Sequence, residues 1–542
     1  MLSGETPAAS KTGPAKARSV SSISASRTSL MDRASEGAAA ENASNATKRP
    51  QRRDRMGLMD GDLARRRGQA RLRLPWRQSA TAFLFPLLLG ACGVVPGVEQ
   101  AAVPRQTWLG SVAAGEPNAA LAARDALKAG GSAVDAAAAL AMALAVTRPS
   151  RASLWAGGVC LVNDSEDGDQ WAYSFIHPES REGEAPPPML VRGLALMHAA
   201  HGRLRWGAVP AAAERLALLG HRVSRAFARD IEAAPLSAEP VLSGRTLGEG
   251  ELLAQPELGR ILQRIRLDGP GAVYSGSLAA MLVQGAAAAG YRLDEAALGR
   301  GVPSAPEPLS VADDPWQAWF AAHEASAGPG QAAFWEQLLE DGRIDDGDPP
   351  VLPVVPDGEV QEMPEAGGGT GFAVVDADGL AVACGLTMNA PFGTGRVAAG
   401  TGIAIAAPRP AGRVDPALSP FLVTLEAGDE IRFAGAASGL GAGRIGPAVA
   451  LRTLLEADTL EAAVGRPRAV RGPGQEMMIE AAVPESARAG LREGGLTVSE
   501  VGGIGFVAAV RCQAWDPGDP GAVCRAHVDP RGAGLAVQVF EE

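Results

Sequence analysis

The run SAVDAAAALAMALAV, from Ser132 to Val146, constrains the fold more than any other segment, because it is apolar on nearly every side. The spacing Ser132-x-x-Asp135 resembles a capping box and predicts the start of a helix, which Arg148-Pro149 would end. A helix that is apolar all round is normally buried. The chain must therefore surround this helix with other elements.

The surrounding segments predict a sheet covered by helices in mixed order, which is typical of a layered α/β or α+β core. Residues 191–300 alternate helical patterns with short loops. Further helices are predicted at Asn118–Lys128, Trp316–His323, Gln331–Glu340 and Pro447–Leu455. Strands are predicted at Gly157–Asn163, Trp171–Phe175, Phe372–Val375, Leu380–Met388, Gly402–Ala406, Pro420–Leu425 and Glu430–Ala434.

A leader precedes this body. Basic residues, the apolar run Ala80–Leu89 and the sequence LGAC ending at Cys92 form the three-part layout of a secretory signal. The apolar run is far shorter than the roughly 20 residues of a membrane-spanning helix. LGAC resembles a bacterial lipobox, so we expect residues 56–91 to be a lipoprotein signal and Cys92 to carry the lipid. Residues 1–55 have the composition of a disordered segment, or of an extension ahead of the true start.

The mature protein is thus expected on the periplasmic side of a bacterial membrane, attached by its lipid to the outer membrane. Residues 1–91 carry 16 Lys and Arg against 7 Asp and Glu. From the chain totals of 50 and 61, the remainder carries 34 against 54, a net charge of −20. An acidic body argues against nucleic acid as a partner.

The five cysteines offer no metal-ligand spacing of the CxxC type, and the six histidines none of the HxxxH type, so no metal is expected. Cys512 and Cys524 flank a turn-rich segment between two strand-like runs, which favours a disulfide across a hairpin. Cys160 and Cys384 lie in apolar runs and are expected to be inert core residues.

The segment GAGRIG, Gly441–Gly446, formally matches GxGxxG. No acidic residue ends a second strand about 20 positions on, so a dinucleotide site is not expected, nor is any other cofactor.

Several blocks, in the same order, resemble the γ-glutamyltranspeptidases, a family of N-terminal-nucleophile hydrolases. The resemblance covers most of residues 107–540. The blocks are GSVAAGEPNAALAARDALKAGGSAVDAAAALAMALAVTRP (Gly110–Pro149), VRGLALMHAAHGRLRWGAVPAAAERLALLGHRVS (Val191–Ser224), LQRIRLDGPGAVYSGSLAAMLVQGAAAAGYRL (Leu262–Leu293), FAVVDADGLAVACGLTMNAPFGTGRVAAGTGI (Phe372–Ile403) and DPRGAGLA (Asp529–Ala536).

The resemblance implies an α+β fold, a four-layer αββα sandwich, and a precursor that cuts itself into two subunits that stay associated. The new N-terminal Thr is then the nucleophile, with its own α-amine as general base. In this chain the cut would fall between Gly369 and Thr370. Residues 92–369 would correspond to the large subunit and residues 370–542 to the small one. The substrate would be a small amide or peptide.

Further site residues follow from the same resemblance. Thr387 would hydrogen-bond the nucleophile and Asn389 would hold the substrate. The N–H groups of Gly441 and Ala442 would form the oxyanion hole. Alternatively, Thr387 and Asn389 only satisfy neighbouring backbone groups, and the glycine-rich segment is only a tight turn.

The sequence also departs from the family. The nucleophile position falls on Gly369, and a β-bulge in the preceding glycines would be needed to turn Thr370 into the site. Ile176 stands where the family has a carboxylate-binding Arg, and Pro416-Ala417 replaces a pair of Ser. The family's acidic residue for the substrate amine has no counterpart in Ala406–Arg409, where Arg409, like His177, is expected at the surface.

Two hypotheses remain. The first is a self-cleaving amide hydrolase or acyltransferase with altered specificity. The second is a binding or structural lipoprotein that has kept the fold and lost catalysis. The position of the Thr370 hydroxyl relative to Thr387 distinguishes them.

Overall fold

The computed structural model describes residues 107–541 except 342–367, 426–429, 456–458, 473 and 514–522. These residues belong to one contact unit, Glu99–Glu542. The expectations for residues 1–91 and for Cys92 lie outside the described residues.

The first half of the described chain is mainly helical. Its elements are β1 (Trp108–Ala114), α1 (Pro117–Lys128), α2 (Ala133–Thr147), β2 (Gly157–Asp164), β3 (Asp169–Phe175), α3 (Leu190–His201), α4 (Ala211–Leu219), β4 (His221–Arg222), α5 (Arg225–Ala233), α6 (Pro235–Val241), β5 (Leu252–Leu253), α7 (Pro256–Asp268), α8 (Gly276–Ala288), α9 (Glu295–Arg300), β6 (Leu309–Asp313), β7 (Trp316–Phe320) and α10 (Gly328–Asp341).

The second half supplies most of the strands. Its elements are β8 (Gly369–Asp376), β9 (Ala381–Thr387), β10 (Val397–Ala398), β11 (Ile403–Ala404), β12 (Ser419–Leu425), β13 (Ile431–Ser438), α11 (Ala442–Leu455), α12 (Leu460–Gly465), β14 (Ala469–Arg471), β15 (Glu476–Glu480), α13 (Glu485–Glu493), β16 (Thr497–Val501), β17 (Phe506–Arg511), β18 (Arg525–Val528) and β19 (Leu535–Phe540).

Two six-stranded sheets form the centre. Their strand orders are β19-β1-β8-β9-β2-β3 and β18-β17-β13-β12-β7-β6. All neighbouring strands within both sheets are antiparallel. A smaller, three-stranded sheet with the order β14-β15-β16 is formed by strands of the second half of the chain.

Each sheet buries one face against the other sheet and the opposite face against helices. Helices α1 and α2 share a core with the outer face of the first sheet, and α10 and α11 with that of the second. The layer between the sheets is built largely of small side chains, including Ala373, Ala383, Ala434 and Ala508. This helix–sheet–sheet–helix order confirms the predicted αββα sandwich.

Helix α2 is buried along its whole length, as its sequence predicts. The capping box is present: the Asp135 N–H donates to Ser132 Oγ, and the Ser132 N–H donates to Asp135 Oδ2 at 2.9 Å. The two bonds satisfy N–H groups that a helix start leaves without intrahelical partners.

The helix predicted at Trp316–His323 is wrong, because Trp316–Phe320 forms strand β7. It pairs with β6 on one side and β12 on the other. Ala318 and Phe320 are buried toward the helices, while the Trp319 indole N–H donates to Thr424 Oγ1 on β12. Pairing on both sides, together with alternating burial, overrides the local helical pattern.

Cys160 and Cys384 are fully buried core residues, as expected, but they are not free thiols. They lie directly opposite each other on β2 and β9 and form a disulfide. The structure also contains the Cys512–Cys524 disulfide, at the end of the hairpin where β17 ends and β18 begins.

Among the described residues, no helix has both the length and the apolar character needed to cross a membrane. The same part of the chain contains no cluster of three or more His, Cys, Asp or Glu suited to a metal ion.

Candidate active site

The site predicted from the sequence lies where β8 begins and β9 ends. Gly369 pairs with Thr387, and Thr370 pairs with Leu386. The ladder runs from there to Val375 without a register shift. The β8–β9 ladder therefore contains no bulge that would turn Thr370.

Side chains alternate along β8. Phe372 and Val374 lie in the core formed with α1 and α2, whereas Ala373 and Val375 lie between the sheets. Thr370 has the parity of Phe372, so its hydroxyl lies on the helix-facing side of the sheet.

Thr370 lies near the loop between β1 and α1. Its Oγ1 is 3.2 Å from the position that a Cβ would take on Gly115, and Phe506 Cε1 on β17 lies 3.3 Å from the same position. Arg148 Nη1 lies 3.2 Å from that position and donates to the Gly115 carbonyl oxygen. Thr387, in contrast, faces the second sheet.

Gly369 does face the second sheet, but no side chain fits there. A Cβ on Gly369 would lie 2.3 Å from the Ala417 Cβ and 2.3 Å from the Leu386 carbonyl oxygen. Gly371 lies two residues further along β8, and a Cβ there would lie 2.6 Å from the Ala436 Cβ. The sheets and the segment before β12 thus approach so closely that β8 carries glycine at its first two inward positions.

The hydroxyl of Thr387 is bonded to an acidic residue that the sequence interpretation missed. Thr387 Oγ1 donates to Asp415 Oδ2 at 2.5 Å and accepts from the Asn389 N–H at 2.8 Å. The second carboxylate oxygen of Asp415 accepts from the Ala417 N–H at 2.9 Å. Asp415-Pro416 is a recognisable turn signal, but nothing in the sequence indicates that its carboxylate reaches a strand 28 residues earlier.

Asn389 lies just past the end of β9, with φ +61°, rather than on the strand beside Thr387. Its side-chain amide donates to the Ala407 carbonyl oxygen at 2.7 Å and to His177 Nδ1 at 3.0 Å. In this arrangement the amide serves neighbouring groups of the protein.

His177 is buried, 1% exposed, so its predicted surface position is wrong. Its Nε2–H donates to the Trp155 carbonyl oxygen at 2.8 Å, which leaves Nδ1 as the acceptor for Asn389. Burial, with a smaller contribution from the nearby Arg409 charge, lowers the pKa of His177 to about 4. The imidazole is therefore neutral near pH 7.

Arg409 is also buried, contrary to its predicted surface position. Its Nε–H donates to the His177 carbonyl oxygen at 2.7 Å, and its Nη2 lies 3.9 Å from the half-exposed Glu179 carboxylate. The Arg409 N–H donates to Ser180 Oγ. Arg409 thus holds the segment after β3 in place.

Ile176, at the position where the resemblance predicts a carboxylate-binding Arg, packs in a small apolar cluster. The other members are Val159, Ala321, Ala325 and Leu418. Backbone bonds hold this cluster together: the Asp415 N–H donates to Ala325 O and the Ala327 N–H to Leu418 O. An apolar core offers no donor to a carboxylate.

The glycine-rich turn joins β13 to α11. Gly441 has φ +73°, a conformation that favours glycine, and its carbonyl oxygen accepts from Arg444 and Ile445 in the first turn of α11. The Ala442 N–H donates to the Gly439 carbonyl oxygen at 3.2 Å. That N–H closes the turn rather than facing an oxyanion.

The structure therefore brings Thr387 and Asn389 together with Gly369, Asp415 and His177, and leaves Thr370 on the other face of the sheet. The hydroxyl, carboxylate, amide and imidazole are all bonded to one another or to the backbone. Such a closed network positions chain segments and presents no free nucleophile–base pair.

The sequence and the structure were compared with a family model, with known proteins and with solved structures. Residues 119–187, 185–311 and 343–539 match a family model described as Gamma-glutamyltranspeptidase. Glutathione hydrolase 6 of Homo sapiens is 29% identical over 292 residues, which cover 52% of this chain and 55% of that protein. The glutathione hydrolase proenzyme of Escherichia coli (strain K12) is 29% identical over 212 residues, which cover 33% of this chain and 36% of that protein.

The chain thus spans about half the length of the human relative and less of the bacterial one. Among solved structures, the cephalosporin acylase from Bacillus halodurans superposes with a TM-score of 0.66 at 19% identity, covering 80% of this chain and 96% of the acylase. This likeness shows a shared fold.

We predict that Gly369→Ala destabilises the protein by about 1–3 kcal/mol, which is the usual cost of overpacking a core. This cost exceeds the roughly 0.4–1 kcal/mol by which Gly→Ala stabilises a protein through the lower entropy of its unfolded chain. Urea unfolding of Gly369→Ala, Ala417→Gly and the double variant measures the coupling. Ala417→Gly should offset only part of the cost, because the Leu386 carbonyl oxygen remains too close. Unchanged stability of Gly369→Ala would contradict the close approach.

We predict a second effect, on pH dependence. Between pH 6.5, the ordinary pKa of His, and pH 4, the unfolded chain binds a proton at His177 that the folded chain does not. The free energy of unfolding should therefore decrease as the pH is lowered through this window, by up to about 1.4 kcal/mol per pH unit from this group. The decrease should end below pH 4.

The measurement compares wild type with His177→Gln by urea unfolding at several pH values. The other histidines titrate in both proteins and cancel in the difference. The variant should show the shallower dependence, and parallel curves would show that His177 titrates normally.

Proposed function

This chain belongs to the γ-glutamyltranspeptidase family of hydrolases and acyltransferases, and from that premise we propose that it has kept the family's fold without a working nucleophile. It acts as a binding or structural protein attached by a lipid to a bacterial membrane, on the periplasmic side. The observation that carries this proposal is the side-chain direction of Thr370, which is opposite to that of Thr387 on the paired strands.

A slip of β8 by one residue would bring Thr370 to the inner face, but it would exchange every other side chain as well. Phe372 and Val374, now fully buried among the helices, would enter the narrow layer between the sheets. That layer accepts glycine and alanine from β8 near its start. The register is therefore fixed by packing at several positions, which supports the proposal.

The recognition side of the site supports it as well. Ile176 lies in an apolar cluster, and an alkyl group cannot replace a guanidinium that binds a carboxylate in a bidentate manner. The Thr387 hydroxyl donates to Asp415. The Asn389 side-chain amide donates to His177 and to the Ala407 carbonyl oxygen. We therefore expect no γ-glutamyl transfer at this site.

Export and lipid attachment are supported by the cysteines. Four of the five form two disulfides, and the one left over is Cys92, at the end of LGAC. Disulfides persist mainly in oxidising compartments such as the periplasm. A cysteine whose thiol receives a lipid cannot also form a disulfide.

We predict that the purified mature protein remains one chain on a reducing denaturing gel. Its hydrolysis of a γ-glutamyl anilide should not exceed the uncatalysed rate, because no residue of β8 places a hydroxyl on the inner face of the sheet. Thr370→Val removes the hydroxyl at nearly constant volume and should change neither result. Thr424→Val, at another buried strand threonine, is the control for the substitution itself.

The opposite result is equally specific. A small fragment beginning Thr370-Gly-Phe-Ala, present in the wild type and Thr424→Val but missing in Thr370→Val, would establish self-cleavage. The self-cleaving hydrolase hypothesis would then replace the proposal.

We also predict that the wild type, expressed in a bacterium fed a labelled fatty acid, is labelled and sediments with membranes. Cys92→Ser should be unlabelled and should leave the membrane fraction, because the hydroxyl cannot form the thioether. Unlabelled wild type in the soluble fraction would contradict lipid attachment while leaving the argument about Thr370 unchanged.

A further inference from the structure

We propose that the Cys160–Cys384 disulfide joins the two halves of the chain covalently, across the position at which the family's precursors are cut. A cut in the segment that connects α10 to β8 would then leave one covalent molecule. This inference does not depend on whether the protein is catalytic, because the bridge has the same effect on a cut made by any agent.

The bridge connects the two halves directly. Cys160 lies on β2, before the Gly369–Thr370 bond, and Cys384 lies on β9, after it, at a sequence separation of 224 residues. Their Cα atoms are 4.1 Å apart, because the two residues lie directly opposite each other on antiparallel strands. The other contacts between the halves in this sheet, such as the β1–β8 and β1–β19 pairings, are noncovalent.

The position of the bridge makes it permanent in the folded protein. Both cysteines are 0% exposed, within the core between the first sheet and its helices. Thiol–disulfide exchange requires a thiolate to reach one of the sulfur atoms. A reductant therefore reaches this bridge only after the sheet opens, so the bridge acts as a fixed link rather than as a redox switch.

Closing the bridge forms one S–S bond and removes two protons and two electrons from the thiols. A protein disulfide of the exchange type, which becomes a dithiol, accepts them. Because the sulfur atoms are buried in the finished fold, oxidation must occur before or while the strands pack. The link is therefore made once, during folding in an oxidising compartment.

The bridge also fixes the strand that carries Thr387. Cys384 is three residues before Thr387 on β9, and Gly157, three residues before Cys160 on β2, pairs with Thr387. A covalent bond inside this ladder prevents β9 from shifting along β2. The closed network around Thr387 and Asp415 thus keeps its register even in a cut chain.

The second disulfide provides a matched control. Cys512 and Cys524 both lie after Thr370, so their bridge cannot hold the two halves together. We therefore compare the wild type, Cys160→Ala/Cys384→Ala and Cys512→Ala/Cys524→Ala. Each carries an inserted protease recognition sequence between Gly347 and Asp348.

Each folded protein is cut with the protease, blocked with N-ethylmaleimide, denatured and run on gels with and without reductant. The wild type and the Cys512/Cys524 variant should give one full-size band without reductant and two fragments with it. The Cys160/Cys384 variant should give two fragments on both gels. Peptide mapping of the uncut wild type by mass spectrometry should find the Cys160–Cys384 cross-linked peptide.

Separation of the wild-type halves without reductant would overturn the proposal, as would alkylated Cys160 and Cys384 in the denatured protein. If the Cys160/Cys384 variant does not fold, the wild-type comparison and the peptide map still decide. Fragments already present before the protease is added would indicate self-cleavage, which concerns the proposed function and not the bridge.

Discussion

The close approach of the two sheets at the start of β8 is the constraint on which the candidate site depends. Gly369 and Gly371 face a second layer in which Ala417 and Ala436 stand nearly in contact with the strand backbone. A site at this place needs a side chain that projects between the sheets, and the packing excludes one. Any hydroxyl must then come from the next residue, and the two-residue period of a strand directs that residue, Thr370, toward the helices. The geometry follows from packing density rather than from hydrogen bonding.

The polar groups around this gap form a network that is complete within the chain. A buried carboxylate is costly unless it is hydrogen-bonded, and Asp415 has both Thr387 and the Ala417 N–H as donors. A buried imidazole avoids that cost by remaining neutral, and His177 does so with one donor and one acceptor in place. Catalysis in this kind of site needs groups that become better bonded only in the transition state. The hydrogen bonds of Thr387, Asp415 and His177 are, in contrast, already made within the chain.

Much of the fold could be predicted from the sequence, because strong local signals agreed with the packing. The apolar run of α2 required burial, and Ser132 and Asp135 marked its start. The candidate site was predictable only in part. The period of β8 correctly placed Thr370 away from Thr387, but whether a bulge corrected this depended on neighbours distant in sequence. Trp316–Phe320, the Cys160–Cys384 pair and the contact of Asp415 with Thr387 were missed for the same reason: each is defined by a partner on another strand, which no local pattern specifies.

The contacts around position 369 depend on one another. Ala417 can lie where it does because position 369 has no Cβ, and the turn that places Ala417 is closed by the Asp415 carboxylate. That carboxylate needs the Thr387 hydroxyl, which in the family is expected to contact the nucleophile instead. Restoring a hydroxyl at position 369 alone would meet both the Ala417 methyl group and the Leu386 carbonyl oxygen, and it would find Thr387 already bonded. A nucleophilic side chain at position 369 would therefore require several simultaneous changes, because the present packing opposes each single one.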